Sequence, residues 1–560
     1  MTCIVRVVPD EWCRTSGAGR AVPDEACARP TLVSMTTAPL PFGSVRSSGG
    51  MVAAADQLAT QAGMAMLAAG GNAVDAAIAT NAAIAVTSPH LCGMGGDLYA
   101  LVHAEGQVFA LNATGRAGSN ADAAAMRAEG LREMPFRHDI RTVTVPGCVD
   151  GWAALHARFA SLPMPQLLEP AIRLAADGFP ASPLLVGSLS MVDATARERL
   201  AVVASQAVRP GARVRRVGVA DALRAIGADG RDGFYGGTFG QGLLTLGQGL
   251  YRPADLESPS ADWVTPLSLP AFGRVLHTLP PNSQGYLTLG ACGLADRLEL
   301  PSDPDDPQWA HLLIEAAKAA GRDRPDVLHD RADGGSLLEA IARRTGEIRP
   351  DRAARIGRSH HDGDTTYLCT VDRHGMGVSL IQSNASGFGS WLVEPTTGIN
   401  LHNRGLGFSL EVGHPAELTP RRRPPHTLSP AVATRPDGSL AAVFGTMGGD
   451  AQPQILLQLA ARLFHRGQSP AAALLAGRWV LNGPATGFDT WTSDHGPHVL
   501  LEGNAPAGWR GHLVGLGHEV RAAPAYDSAF GHAHAIVIGD DGIRHGAADP
   551  RARVGSAAGL

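Results

Sequence analysis

Chemistry in this chain starts at Asp364-Thr365-Thr366. A threonine hydroxyl is a weak nucleophile alone. It becomes effective when a base lies beside it, and a free α-amine on the same residue can be that base. The arrangement needs the Asp364–Thr365 peptide bond to be cut. A threonine at the head of a strand, behind an exposed polar loop, is placed for such a cut. A Thr-rich strand start without chemistry is also common, and local sequence alone favours that plainer reading. A second constellation is Gly448-Gly449, between an apolar strand and a helix. Backbone N–H groups at glycines can point at an anion, and the helix N-terminus adds positive potential. Acyl-transfer enzymes use this geometry as an oxyanion hole. An ordinary glycine turn has the same sequence, and a phosphate loop would want a lysine that is missing here.

Other clusters carry less. His360-His361-Asp362-Gly363-Asp364 has the ligand types of a transition-metal site. It sits in one polar run with no distant partner at ligand spacing, so a solvated linker is preferred. His532-Ala533-His534 alternates within a strand, and such a pair is more often structural. Gly93-x-Gly95-Gly96 and Gly240-x-Gly242 do not complete G-x-G-x-x-G, and G-x-S-x-G, H-E-x-x-H and the Walker A pattern are absent. No metal and no organic cofactor are expected.

The elements that must position these residues follow from periodicity. Thr366–Val371 and Val378–Ile381 form a β-hairpin about the turn Asp372-Arg-His-Gly375, behind a polar stretch from Thr345 to Asp364 that reads as an exposed linker. Leu440–Phe444 is a strand, a helix runs from about Gln452 to His465, and another strand lies near Ala533–Gly539. Two helices are expected at about 57–69 and 73–86, separated by Gly70-Gly71 and capped by Asn72. The second is almost all Ala, Ile and Val, so it must be buried on most sides. Leu98–His103 pairs with Gln107–Leu111. Residues 140–240 alternate helix and loop signals.

Composition bounds the rest. At 560 residues the chain holds two to four domains or one large body. A balance of 44% hydrophobic and 18% charged residues is globular, and a net charge of −5 gives no footprint for nucleic acid. No stretch is apolar enough to span a membrane. Seven cysteines, with no C-x-x-C, argue against a disulfide scaffold or a cysteine zinc site. Lys318 is the single lysine, which reads as coding bias in an Arg-rich proteome. Residues 1–40 lack periodicity and any signal-peptide run, so they read as a disordered tail or a mis-assigned start with Met35 as the alternative beginning. The missing leader favours a cytoplasmic protein.

An ordered set of motifs then carries a resemblance. It includes Gly70-Gly-Asn-Ala-Val-Asp-Ala-Ala77, Gly93-Met-Gly-Gly96, Pro280-Pro-Asn-Ser-Gln-Gly285, Gly363-Asp-Thr-Thr-Tyr367, Gly445-Thr-Met-Gly-Gly449 and Ala548-Asp-Pro-Arg551. From about Gly49 to Leu560 the chain resembles the γ-glutamyltransferase family of N-terminal-nucleophile hydrolases. The resemblance implies an α+β fold, a four-layer αββα sandwich made as one precursor. It implies self-cleavage between Asp364 and Thr365 into a large chain (41–364) and a small chain (365–560) of one composite body. Thr365 would be nucleophile and, through its new amine, base. Gly448 and Gly449 would supply the oxyanion N–H groups, and Ser383 matches a hydroxyl that assists the nucleophile.

The departures point to the substrate. The arginine that glutamyl-binding members use for the α-carboxylate falls on Thr114, with Arg116 two residues on. The aspartate for the α-amino group falls on Gly407, a nearby asparagine on Ala385, and the paired serines on His426 and Thr427. Losing charged partners of a zwitterion costs about 2–5 kcal/mol each by interface analogy. Asn403-Arg-Gly405, Pro425-His-Thr-Leu428 and Gly449-Asp-x-Gln-Pro-Gln454 are more similar to the oxamate amidohydrolase-type branch. A small carboxylated amide is then the expected substrate, with Arg116, Thr114, Asn403, His426, Thr427 and Asp450 as candidate contacts. The alternatives are a γ-glutamyltransferase or glutathione hydrolase, and an unprocessed non-catalytic binding homologue. The expected partners are the small amide and the two cleaved chains for each other. The oligomeric state is left open, a homo-oligomer of the processed pair included.

Overall fold

The computed structural model describes residues 43–354, 364–482 and 498–560, the side chain of Asp364 excepted. The segment His360–Asp362 therefore lies outside the described residues, as does the N-terminal stretch to Phe42.

Two seven-stranded antiparallel sheets form the centre. One runs Ser556–Gly559, Met51–Ala54, Asp364–Val371, Gly377–Ala385, Asp97–Ala104, Gln107–Ala113, Asp262–Val264. The other runs Val45–Ser47, Arg544–Ala548, Ala533–Ile538, Leu440–Thr446, Ala431–Thr434, Arg274–Thr278, Leu267–Ala271. Strands from both sides of the 364–365 bond interleave in each sheet. Alternation along each strand sends one set of side chains between the sheets. Tyr99, Leu101, Tyr367, Cys369 and Ile381 meet Val432, Val443 and Ile536 there. Gly445 gives Tyr367 its place, because a Cβ at Gly445 would lie 2.2 Å from the Tyr367 ring.

Helices cover the outer faces, completing an α+β four-layer sandwich. Ala73–Thr87 is buried along its whole length against the Asp364–Val371 and Gly377–Ala385 strands. Asn72 starts it with a capping box: its side chain accepts from the Val74 and Asp75 N–H groups, and Asp75 accepts from the Asn72 N–H. Its neighbour Gln57–Ala68 approaches closely because Gly63 has no side chain; a Cβ there would meet Thr80 Oγ1 at 2.2 Å. On the other sheet lie Gly285–Ala295 and Gln452–Ala460, and Pro307–Gly321 packs against both.

The helix expected to reach His465 changes to a π turn over Ala461–His465. The hairpin's second strand continues to Ala385, beyond the expected Ile381. The apolar signal stops at Gln382-Ser383-Asn384, yet all three are buried in the strand. The described part of the stretch from Thr345, residues 345–354, is surface-lying but tethered: Arg349 O accepts from His311, and the Ala354 N–H donates to Glu315.

Candidate active site

Thr365 opens the strand that lies third in its sheet, and it faces the layer between the sheets like Tyr367 two residues on. A bulge separates Asp364 from Thr365, re-aiming the chain at the start of the ladder. The register then places Thr365 opposite Ser383, and Ser383 opposite Asp97. Three adjacent strands thus present a hydroxyl, a hydroxyl and a carboxylate in one row. Thr365 is 1% exposed, and its Oγ1 lies 3.0 Å from Ser383 Oγ.

Arg404 closes the row. Its Nη2 donates to Ser383 Oγ (3.0 Å), its Nε to Asp97 Oδ2 (2.7 Å) and its Nη1 to Thr427 Oγ1 (3.2 Å). The Ala385 N–H also donates to Ser383 Oγ, at 2.8 Å. Arg404 stands on a short 3-10 turn whose entry is fixed by Asn403. That amide accepts from the Ser386 N–H and donates to Phe136 O and Ser386 Oγ. Asp97 Oδ2 collects a further bond from His426 Nε2 at 2.9 Å, and His402 Nδ1 stands 3.5 Å away. Burial alone would raise the Asp97 carboxyl; Arg404 and His426 outweigh it and hold it well below the usual range. Burial, then Arg404, pushes His426 down to about 3. Its bonds agree with a neutral ring, since Nε2 donates to Asp97 while Nδ1 accepts from the Leu428 N–H.

The glycine turn follows Leu440–Thr446. Gly448 has φ 132° and Gly449 φ 53°, both in the region glycine alone enters freely. Neither N–H has an acceptor among the described residues. The Gly449 carbonyl accepts from Gln284 Nε2, which also donates to Thr427 O. Hydrogen bonds therefore run unbroken from Gly449 through Gln284, Thr427, Arg404 and Ser383 to Thr365.

A cavity of about 310 Å³ opens beside this chain, lined by Ala385, Arg404, Gly407, Thr427, Arg324 and Arg132 among others. With His414 the lining offers three arginines and a histidine against one carboxylate, Glu133. Gly407 cannot carry a side chain without movement, because a Cβ would lie 2.3 Å from Pro425 O.

The other expected contacts divide. Thr427 lines the cavity. His426 and Asn403 are committed to Asp97 and to backbone. Asp450 is buried and pairs with Arg324 at 3.3 Å, so it meets the cavity through that arginine. Arg116 pairs instead with Asp262 at 2.6 Å and lines a separate small pocket. Thr114 is fully buried, its hydroxyl taken by Asn112, Asn282 and the Arg423 guanidinium. His532 bonds Ser528, and His534 stacks on Tyr367 while accepting from the Asp549 N–H. Sequence reasoning missed Asp97 and Arg404. A signal existed for the first: Asp97 heads an apolar run, and a charge buried there needs a partner.

His311, Glu315 and His518 have metal-ligand types and lie close together. Lys318 already supplies the cation, donating to Glu315 Oε1 (2.9 Å) and His518 Nδ1 (3.2 Å). A metal there would have to displace an ammonium.

Comparisons with known proteins agree on one family. A family model described as gamma-glutamyltranspeptidase matches residues 59–559. The oxamate amidohydrolase proenzyme of Klebsiella pneumoniae is 36% identical, over 92% of this chain and 99% of its own. A glutathione hydrolase-like proenzyme of Bacillus subtilis is 33% identical, over 91% and 98%. The crystal structure of cephalosporin acylase from Bacillus halodurans superposes with a TM-score of 0.84 at 33% identity, covering 95% of this chain and 99% of that one.

Proposed function

The chain belongs to the γ-glutamyltranspeptidase family and is an amide hydrolase or acyltransferase of the N-terminal-nucleophile type; from that premise we propose that Thr365 is its nucleophile, freed by self-cleavage after Asp364. In the precursor, Thr365 Oγ1 adds to the Asp364 carbonyl carbon. The C–N bond breaks as the hydroxyl proton passes to the leaving nitrogen, and water hydrolyses the resulting ester. The products are a large chain ending at Asp364 and a 196-residue small chain, Thr365–Leu560.

In turnover the new α-amine takes the Thr365 hydroxyl proton as Oγ1 bonds to the substrate carbonyl carbon. The Gly448 and Gly449 N–H groups receive the oxyanion. The C–N bond then breaks, the proton passes to the leaving nitrogen, and an acyl ester remains for water or an amine to accept. Ser383 Oγ accepts from Arg404 and Ala385 and lies 3.0 Å from Thr365 Oγ1, and in the proposed turnover its proton turns toward Thr365. That bond strengthens as charge grows on Thr365, and the cationic Arg404 behind it polarises Ser383.

The observation that carries this reading is the bonded row Thr365–Ser383–Arg404–Asp97 beside a basic cavity. That basicity, together with the 36% identical oxamate amidohydrolase, supports a small carboxylated amide as substrate. A γ-glutamyl substrate is the second reading, supported by the glutathione hydrolase-like relative. Against it stand Gly407, where an ammonium partner has no room, and Thr114, already engaged by Arg423. Among the described residues, four buried free cysteines support a reducing, cytoplasmic compartment.

The test uses the full chain and Thr365→Ala. Wild type should give two bands on a denaturing gel and release ammonia from oxamate faster than anilide from a γ-glutamyl-anilide. Thr365→Ala should stay one band and release neither. Full-length, inactive wild type would mean a non-catalytic homologue and would overturn the proposal.

A further inference from the structure

We infer that Arg404 receives the substrate's carboxylate, and that its place restricts the enzyme to amides whose carbonyl carbon bears that carboxylate directly. The inference rests on the amide-hydrolase reading above.

A guanidinium has five N–H donors. Three of those on Arg404 go to Asp97, Thr427 and Ser383. One N–H on each terminal nitrogen is left, the pair of donors that a carboxylate accepts in bidentate fashion. Arg404 is 3% exposed yet lines the cavity, so a carboxylate meeting it would be shielded from water. Asp97 fixes the guanidinium plane before substrate arrives, which lowers the ordering cost of binding.

Reach decides the substrate. Two consecutive hydrogen bonds of 3.0 Å separate the guanidinium from Thr365 Oγ1. In an oxamate-like amide the carboxylate is one bond from the attacked carbon, and so it lies within that span. In a γ-glutamyl amide the α-carboxylate is four bonds away, so an extended chain carries it past Arg404. Of the competing arginines in the cavity, Arg324 is paired with Asp450, and Arg132 is exposed, so a carboxylate on it would stay in water. Arg116 is paired with Asp262 outside this cavity. The arrangement also couples recognition to chemistry. A carboxylate on Arg404 would sit on the group that polarises Ser383, so the correct substrate lies against the residue that serves the nucleophile.

The experiment compares oxamate with its neutral isostere oxamide, as kcat/KM for ammonia release, in the matured enzyme. Wild type should prefer oxamate by about 30-fold or more, the low end for a desolvated charge pair. Arg404→Gln should bring the ratio near one, Arg404→Lys should leave it between, and Arg324→Gln should keep it. Maturation of each variant is followed separately on a gel. A purely structural role for Arg404 would lower both substrates equally with the ratio intact, and that result overturns the inference. Loss of the ratio in Arg324→Gln instead would also overturn it. If the Arg404 variants fail to mature, the wild-type ratio decides, and a value near one defeats the inference. A wild type that hydrolyses neither amide defeats the underlying reading instead.

Discussion

Two buried clusters in this molecule share one inventory: a carboxylate, a cation and two histidines. In the first, Glu315, Lys318, His311 and His518, the bonds close on themselves. Lys318 donates to Glu315, His518 and Ala354 O. His518 Nε2 and His311 Nδ1 share a bond, and His311 Nε2 reaches Arg349 O. Glu315 Oε2 takes the Ala354 N–H. No side-chain polar atom of these four is left over. In the second, Asp97, Arg404, His402 and His426, the circuit stays open. Asp97 Oδ1 and His402 Nδ1 have no hydrogen-bond partner among the described residues. The cation reaches out to Ser383, Thr427 and a cavity. A closed circuit fixes a fold, here tying Arg349 and Ala354 to the Pro307–Gly321 helix. An open one still has donors to offer, and it is the one beside Thr365, the proposed nucleophile.

Matched lesions should separate the two. Asp97→Asn leaves Arg404 with its charge uncompensated, and should lower kcat/KM for oxamate by about 100-fold or more, read by ammonia release. Lys318→Met breaks the other cluster, and should cost about 3–5 kcal/mol of stability in urea titration while the kcat of the folded fraction stays unchanged. Equal catalytic damage from both would erase the distinction. Ser383→Ala removes one hydrogen bond to a developing charge, so kcat should fall about 10- to 100-fold, and Ser383→Thr should restore most of it.

The smallest effect concerns pH. Burial, then Lys318, pushes His518 down to about 3. An unfolded imidazole takes its proton near pH 6.5. Between those values the unfolded chain holds more protons, so stability is complete above about pH 6.5 and falls as pH drops toward 3. His518→Gln should remove about one proton from the uptake on unfolding measured at pH 5. An unchanged uptake would place the acid sensitivity elsewhere.

The hairpin that carries Thr365 was legible, because Thr366–Val371 is rich in β-branched and aromatic residues and its turn is polar. So were the Ala-rich helix with its Asn72 cap and the strand leading to Gly448-Gly449. The far end of the second strand was not. Ser383 sits in a polar triplet that breaks the apolar pattern: Asn81 and Gly93 O bond Gln382, Arg404 bonds Ser383, and Asn384 Nδ2 donates to Pro89 O. Asp97 and Arg404 meet across 307 residues of sequence, which no local pattern encodes. Arg116 was expected at the substrate from its closeness to Thr114, but the loop carries it to Asp262. Lys318 looked like coding bias. Its surroundings ask for a compact ammonium with three separate acceptors, which the planar fork of arginine does not match.

The central claim is that Thr365 becomes the N-terminus that attacks the amide. Intact mass and N-terminal sequencing of the purified mature protein test it most directly. The account predicts a small chain starting at Thr365 and running to Leu560, absent from Thr365→Ala. A mature, active enzyme whose small chain starts elsewhere, or activity in an uncleaved chain, would contradict it.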